Sequence, residues 1–140
     1  MDRLRELIEE IRVYGINNDV PIMSVETIET INKIIDENNI HSILEIGTTI
    51  GYSTICFASN KNIERVVSIE RDDVRESIAI ENVKKSGLSN IELIHDDALN
   101  VEVSDKFDLV IIDAAKKCRG IKKVILVLGM YYIEGFPEGI

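Results

Sequence analysis

The chain has few of the residues that mark disulfide-stapled or membrane-spanning proteins. Its 140 residues include only two cysteines, Cys56 and Cys118, whose separation matches neither a metal site nor a redox pair. Unpaired thiols in a reducing compartment are therefore expected. The sequence opens with no signal-peptide pattern, and its longest apolar run, residues 124–133, contains Gly129 and is too short to span a bilayer. These shortages predict a cytoplasmic protein that does not enter a membrane.

The chain also lacks the two common phosphate-binding glycine signatures. An apolar run at 42–46 predicts a strand, and the next five residues read Gly-Thr-Thr-Ile-Gly before a predicted helix. A nicotinamide-binding turn needs a glycine where Thr49 stands, and no Lys-Ser or Lys-Thr pair follows as a P-loop requires. The turn therefore favours an adenosine ligand without phosphate, such as S-adenosylmethionine. Alone, the same spacing is also compatible with close packing of a helix on a strand, which is the lesser alternative.

Carboxylates stand at the ends of four predicted strands. Glu45 and Glu70 close the first two apolar runs, Asp96 and Asp97 follow the third, and Asp113 follows the fourth. Ligands of open parallel sheets bind beyond the carboxyl ends of the strands, so these acids are expected around one crevice. There they could accept hydrogen bonds from ribose hydroxyls and an ammonium group, and would repel phosphate. Asp96 and Asp97 could equally be helix caps or solvated loop acids.

The periodicity of apolar residues predicts an α/β fold, a Rossmann-like doubly wound parallel sheet that is incomplete in its C-terminal half. Two amphipathic helices come first, one ending near Gly15 and one capped by Ser24. The predicted strands are 42–46, 65–69, 91–95 and 107–112, and the predicted later helices are 52–59 and 72–86. The length suits one domain over 1–140, with helices at 1–40, a cofactor-binding half at 41–116 and a divergent tail at 117–140.

Charge is spread unevenly along the chain. Residues 1–115 carry 11 basic and 23 acidic side chains, and residues 116–140 carry 5 basic and 2 acidic ones. An acidic body does not bind polyanions by itself, so contact with nucleic acid would be confined to local basic residues such as those of the tail.

Four motifs follow one another in order along the chain. They are Glu-Ile-Gly-x-x-x-Gly-Tyr-Ser from Glu45, Ser-Ile-Glu-Arg ending at Arg71, Asp-Ala-Leu from Asp97, and Phe-Asp-Leu-Val-Ile-Ile-Asp-Ala-Ala-Lys ending at Lys116. This set resembles the bacterial relatives of catechol O-methyltransferase, which are class I S-adenosylmethionine-dependent O-methyltransferases. The segment Val-Pro-Ile-Met ending at Met23 further resembles the branch that methylates 5-hydroxyuridine in tRNA. The resemblance implies Mg²⁺-assisted methyl transfer to a hydroxyl of a tRNA nucleoside or of a small catechol-like phenol.

The resemblance also implies roles for individual residues. Glu70 would hold the ribose, and Asp97 with Ala98 would lie beside the adenine. Asp113 would ligate Mg²⁺, and Lys116 would be the general base that takes the proton of the acceptor hydroxyl. The full set of expected cofactor contacts is Met23, Glu45, Gly47, Ser53, Glu70, Asp97, Ala98 and Asp113.

The sequence departs from the family pattern after the fourth motif. An Asp-Asn pair that would complete the metal site has no counterpart, because residues 114–140 contain no Asp, Asn or His. One carboxylate is a poor substitute for the octahedral oxygen shell of Mg²⁺, so an incomplete metal site is expected. Two hypotheses follow, an O-methyltransferase, or a truncated, non-catalytic copy that binds the cofactor or only a partner chain.

A truncated sheet would leave the strand at 107–112 without a neighbour on one side. Such an edge predicts marginal solubility or pairing with another chain, for instance in a homo-oligomer. Residues 124–128 form an apolar run that could instead serve as a replacement strand.

Overall fold

The computed structural model describes residues 2–101, 105–115 and 122–128. Helices and strands alternate after two initial helices, which confirms the predicted α/β fold. In chain order the elements are α1 (Asp2–Asn17), α2 (Val25–Glu37), β1 (Ser42–Ile46), α3 (Tyr52–Ala58), β2 (Arg65–Glu70), α4 (Asp73–Ser86), β3 (Ile91–His95), a 3₁₀ turn (Ala98–Asn100), β4 (Leu109–Ala115) and β5 (Lys122–Leu128). That residues 1–140 form one domain stays a prediction.

The helix ends follow local sequence signals. Ser24 caps α2, because its hydroxyl oxygen accepts a hydrogen bond from the Thr27 amide at 3.2 Å. Gly87 ends α4 in the left-handed conformation that glycine adopts without strain. The first helix continues past Gly15 to Asn17, two residues further than expected.

Five strands of the described chain form one sheet in the order β3-β2-β1-β4-β5. The first four strands are parallel, whereas β5 runs antiparallel to β4, from Leu109 opposite Leu128 to Ala115 opposite Lys122. The expected bare edge beside β4 is therefore wrong, and the replacement strand is confirmed. Pairing with β5 satisfies the outer backbone groups of β4 and carries that strand beyond the predicted end at 112. Asp113 consequently lies within β4 and not after it.

The two faces of the sheet are covered differently. Alternate strand residues such as Ile43, Val66 and Leu109 join an apolar cluster to which all four described helices contribute. The opposite face, which includes Leu44, packs in the described part of the chain against side chains between β3 and β4, chiefly those of Phe107 and Val101. Among the described residues, the α-helices therefore cover one face of the sheet.

Cys56 lies inside this helix-side cluster as a free thiol, as the cysteine count predicted. Burial raises the pKa of its thiol to about 12, so the reactive thiolate is scarce at neutral pH. Cys118 lies outside the described residues.

Across residues 2–101, 105–115 and 122–128, no helix combines the length and hydrophobicity that crossing a bilayer requires.

The pairing of β5 can be tested by placing a charge on its half-buried face. Leu126 packs against the helix-side cluster, whereas Leu128 is 53% exposed at the end of the strand. Leu126→Asp should lower the free energy of unfolding by about 1–3 kcal/mol, because a carboxylate would lose water without gaining a partner. Leu128→Asp is the matched control and should cost less than about 0.5 kcal/mol. Equal losses in urea unfolding would contradict the register of β5.

Candidate active site

Glu45 is a fully buried carboxylate beneath the glycine turn. The strand register places it beside Ser68 of β2, on the face that the helices cover. Its oxygens accept hydrogen bonds from three hydroxyls, those of Ser53 at 2.6 Å, Thr54 at 2.5 Å and Ser68 at 2.7 Å. Burial raises the pKa of Glu45, the three hydroxyls oppose that rise, and the charge of Asp113 adds to it. The structure therefore turns this acid inward, because its oxygens are held by α3 and β2, and not toward the expected crevice.

The backbone amides of the glycine turn are largely used inside the protein. A phosphate cradle depends on amides that point outward and lack partners. Four amides of this turn are bonded as follows: Gly47 N and Thr48 N donate to Ile69 O at 2.9 and 3.3 Å, Thr49 N donates to Glu70 Oε1 at 2.7 Å, and Gly51 N donates to Thr48 O at 3.0 Å. The turn thus has few donors left for a pyrophosphate, which supports the prediction from its glycine spacing.

Gly47 brings the end of β1 against the backbone of β4. Its φ is +102°, and a Cβ atom built on it would lie 2.6 Å from the carbonyl oxygen of Asp113. Only glycine fits there without displacing one of the two strands. The two predicted site residues are therefore neighbours through their backbones.

Glu70 stands at the carboxyl end of β2 and ties the turn to α4. Its Oε1 accepts from the Thr49 amide at 2.7 Å, and its Oε2 accepts from the Asp72 amide at 3.0 Å. Each carboxylate oxygen can accept a further hydrogen bond, so Glu70 retains capacity for a ligand. The residue is 7% exposed. Its carboxylate is thus fixed in place by the protein before any ligand arrives.

The other residues predicted to contact the cofactor or to act in catalysis lie in different surroundings. Met23 is buried in the helix-side cluster, and Ala98 is half-buried on the opposite face. Asp97 caps the 3₁₀ turn, since its Oδ1 accepts from the Leu99 amide at 3.0 Å, which is the capping alternative considered for it. Lys116 lies outside the described residues. The functional roles of these residues stay predictions.

Sequence reasoning missed Ser68 and Thr54, two of the three hydroxyls that hold Glu45. The third, Ser53, was expected to contact the cofactor, and its hydroxyl donates to Glu45. Ser68 stands inside the apolar run of β2, a strand that is buried on both faces. An unpaired hydroxyl there would be costly, so its presence signals a buried polar partner on a neighbouring element. Thr54, in the first turn of α3, carries no comparable signal.

The model of a family described as O-methyltransferase matches residues 2–123. The chain belongs to this O-methyltransferase family. Among solved structures it is similar to a Staphylococcus aureus protein provisionally named a caffeoyl-CoA O-methyltransferase (34% identity, TM-score 0.71, 81% of this chain and 56% of that one). It is also similar to an O-methyltransferase from Bacillus cereus that was solved in complex with SAH (27% identity, TM-score 0.67, 79% and 55%).

A curated relative comes from Methanosphaera stadtmanae. It is named a probable ribosomal RNA small subunit methyltransferase A, and it is 35% identical over 101 residues, which cover 64% of this chain and 36% of the relative. This member of the O-methyltransferase family thus spans about half the length of the solved relatives and roughly a third of the curated one.

The metal expected of this O-methyltransferase does not fit the described residues. No group of three His, Cys, Asp or Glu side chains within residues 2–101, 105–115 and 122–128 is arranged to hold a metal ion. Asp113, the expected ligand, is 8% exposed within β4. One carboxylate does not supply the oxygen shell that Mg²⁺ prefers.

The stability that Glu45 contributes should depend on pH in a defined direction. Because its pKa is higher in the folded chain than in the unfolded chain, the folded state holds the proton more tightly. Its contribution is greatest below the ordinary value of 4.5 and declines as the pH rises through the raised pKa. The stability advantage of the native chain over Glu45→Gln, measured by urea unfolding, should therefore shrink between about pH 5 and about pH 8.

If the stability advantage of the native chain over Glu45→Gln grows with pH, the pKa of Glu45 is not raised by folding. Glu64→Gln changes an exposed site and is the control, which should leave stability almost unchanged at both pH values.

The close approach at Gly47 predicts an unusually costly alanine substitution. Gly47→Ala should lower the free energy of unfolding by about 2–5 kcal/mol, since left-handed strain adds to the clash with Asp113. Gly87→Ala is the matched control, because its φ is +70° and nothing lies within 4 Å of the added Cβ. It should cost about 1–2 kcal/mol in the same urea titration. Similar losses for both variants would show that β1 and β4 are not in this contact.

Proposed function

We propose that this chain binds S-adenosylmethionine at the carboxyl ends of β1, β2 and β4 and takes part in methyl transfer to a hydroxyl oxygen. The observation that carries the proposal is the arrangement of Glu70 and the glycine turn. Four backbone amides of the turn donate hydrogen bonds within the protein. One of these bonds, from the Thr49 amide to Glu70 Oε1, holds the Glu70 carboxylate in place. A site with carboxylate acceptors and few remaining amide donors suits a ribose and a positively charged group better than a phosphate.

The residues present fit the two polar ends of this cofactor. Glu70 keeps acceptor capacity for ribose hydroxyls, and Asp113 lies near the carboxyl end of β4 with its carbonyl oxygen close to Gly47. Gly47 and Ser53 would border the amino-acid end, Met23 would lie along the cofactor, and the 3₁₀ turn after Asp97 would flank the adenine. When bound, the cofactor supplies a methyl group on a cationic sulfur, which is electrophilic at carbon.

The chain must hold the acceptor oxygen in line with that methyl group and remove the proton of the acceptor hydroxyl. Orientation of this kind lowers the barrier because the reacting atoms no longer have to find one another in solution. Lys116 is the proposed general base, and it accepts the hydroxyl proton when its amine is neutral. The carboxylate of Asp113 would attract the cationic sulfur of the bound cofactor. Any help from Mg²⁺ would need ligands beyond the described residues.

The acceptor is proposed to be a small hydroxylated compound. Two specific candidates are 5-hydroxyuridine in tRNA and a catechol-like phenol, which the sequence motifs indicate. The acidic body disfavours nucleic acid in general, so a tRNA substrate would depend on the basic residues of the tail.

A second candidate function is cofactor binding without transfer. It is favoured by one observation, that the described residues supply Asp113 without the further ligands of a metal site. Such a chain would bind the cofactor, or only a partner chain, and show no turnover.

Calorimetric titration with S-adenosylhomocysteine tests the proposal directly. The native chain should bind, and Glu70→Ala should weaken binding roughly 10- to 100-fold, because hydrogen bonds to a carboxylate are worth about 1.5–3 kcal/mol. Glu70→Gln keeps an acceptor oxygen and should lose less. Glu64→Ala, at an exposed site before β2, is the control and should bind as the native chain does.

Methyl-transfer assays with a catechol and with tRNA that contains 5-hydroxyuridine, each with and without Mg²⁺, separate the two candidates. Binding with transfer supports the enzyme, and binding without transfer supports the second candidate. If the native chain unfolds cooperatively on heating but does not bind the cofactor, the enzyme and the cofactor-binding form of the second candidate are both overturned, and only binding of a partner chain is left.

A further inference from the structure

A groove between α1 and α4 lies apart from the candidate cofactor site. Its volume is about 480 Å³, which falls in the range of about 300–1,000 Å³ typical of small-molecule sites. The residues that line it belong to two helices that pack against each other, from Leu7 to Tyr14 of α1 and from Ser77 to Lys85 of α4. None of them is expected to contact the cofactor. The groove therefore has no part in the proposed methyl transfer.

Apolar side chains form the inner surface of the groove. Ile11 is 3% exposed within the helix-side cluster, and Leu7 and Ile78 pack against that cluster. Tyr14 is 44% exposed and adds an aromatic ring to the lining. A hydrophobic group placed here would remove its own surface and that of these side chains from water, which is favourable in proportion to the area covered. The groove therefore favours a ligand with an apolar body.

Two charges of opposite sign lie on the two helices that border the groove. Glu10 belongs to α1 and Lys85 to α4, and both side chains are exposed. Within residues 2–101, 105–115 and 122–128, they pair neither with each other nor with another residue. The third charged lining residue, Glu81, has its carboxylate 3.8 Å from the amine of Lys84. Glu10 and Lys85 are therefore the charges available to a ligand.

These charges restrict the chemistry of the ligand. A phosphate or another multiply charged anion would be repelled by Glu10 and Glu81, and a simple cation would be repelled by Lys85. A metal ion has no group of three suitable ligands among the described residues. A molecule that carries one ammonium and one carboxylate can pair with both free side chains through charge-assisted hydrogen bonds. A zwitterion with an apolar body therefore matches both the charges and the apolar lining.

We propose that the groove between α1 and α4 binds a zwitterionic small molecule of the apolar α-amino acid class. Its ammonium pairs with Glu10 and its carboxylate with Lys85, while its apolar side chain covers Leu7, Ile11 and Ile78. Ion pairs at exposed positions contribute little each, so burial of the apolar side chain supplies most of the affinity and the two charges supply the selectivity. The site is independent of the proposed function, because it uses a different surface of the chain.

Two-dimensional NMR titrations with three probes test this assignment. L-phenylalanine carries both charges, phenethylamine lacks the carboxylate, and 3-phenylpropanoate lacks the ammonium. L-phenylalanine should shift the amide signals of the lining residues in the native chain. Lys85→Met should weaken its binding roughly 2- to 5-fold without weakening that of phenethylamine. Glu10→Gln should weaken binding of L-phenylalanine to a similar extent without weakening that of 3-phenylpropanoate.

Matched variants separate the groove from the rest of the surface. Glu6→Gln and Lys61→Met change exposed residues that do not line the groove, and both should bind all three probes as the native chain does. Ser77→Phe places a ring at an exposed position of the groove wall and should abolish binding of every probe. Thermal unfolding checks that each variant is folded.

Three results would overturn the inference. The lining residues of the native chain do not respond to L-phenylalanine, or Lys85→Met weakens all three probes by the same factor, which rules out pairing with a carboxylate. The third is that the native chain sediments as a dimer that Lys85→Glu dissociates, which would place a second copy of the chain in the groove. None of these results bears on the titration with S-adenosylhomocysteine, so this inference and the proposed function fail separately.

Discussion

The arrangement of the site depends on one buried carboxyl group, that of Glu45, and the hydroxyls that surround it. Glu45 accepts from Ser53, Thr54 and Ser68, which belong to α3 and β2, and the Ser68 hydroxyl lies 2.6 Å from that of Thr48 in the turn. A carboxylate in the core without donors would cost several kcal/mol, so these elements are stable only in the arrangement that supplies them. The turn therefore has its shape before a ligand binds, which reduces the entropy that binding must overcome.

The strand register explains why two similar acids have different positions. Glu45 pairs with Ser68 in the middle of the sheet, whereas Glu70 lies two residues further along β2, beyond the last β1 partner at Ile69. Both acids face the helices. Glu45 is the cross-strand partner of Ser68, and Glu70 is two residues after Ser68, so all three side chains lie on the same face of the sheet. A shift of two residues thus separates an acid that organises the core from one that reaches the rim.

Most of the fold and part of the site follow from sequence patterns. Alternating apolar runs and helical periods located the first three strands to within one residue, since burial on a sheet leaves a strong signal. The inward direction of Glu45 was also implicit, because Ile43 of the same strand is a core position two residues away. The direction of β5 follows from chain length, as six residues between Ala115 and Lys122 are too few for a parallel crossover.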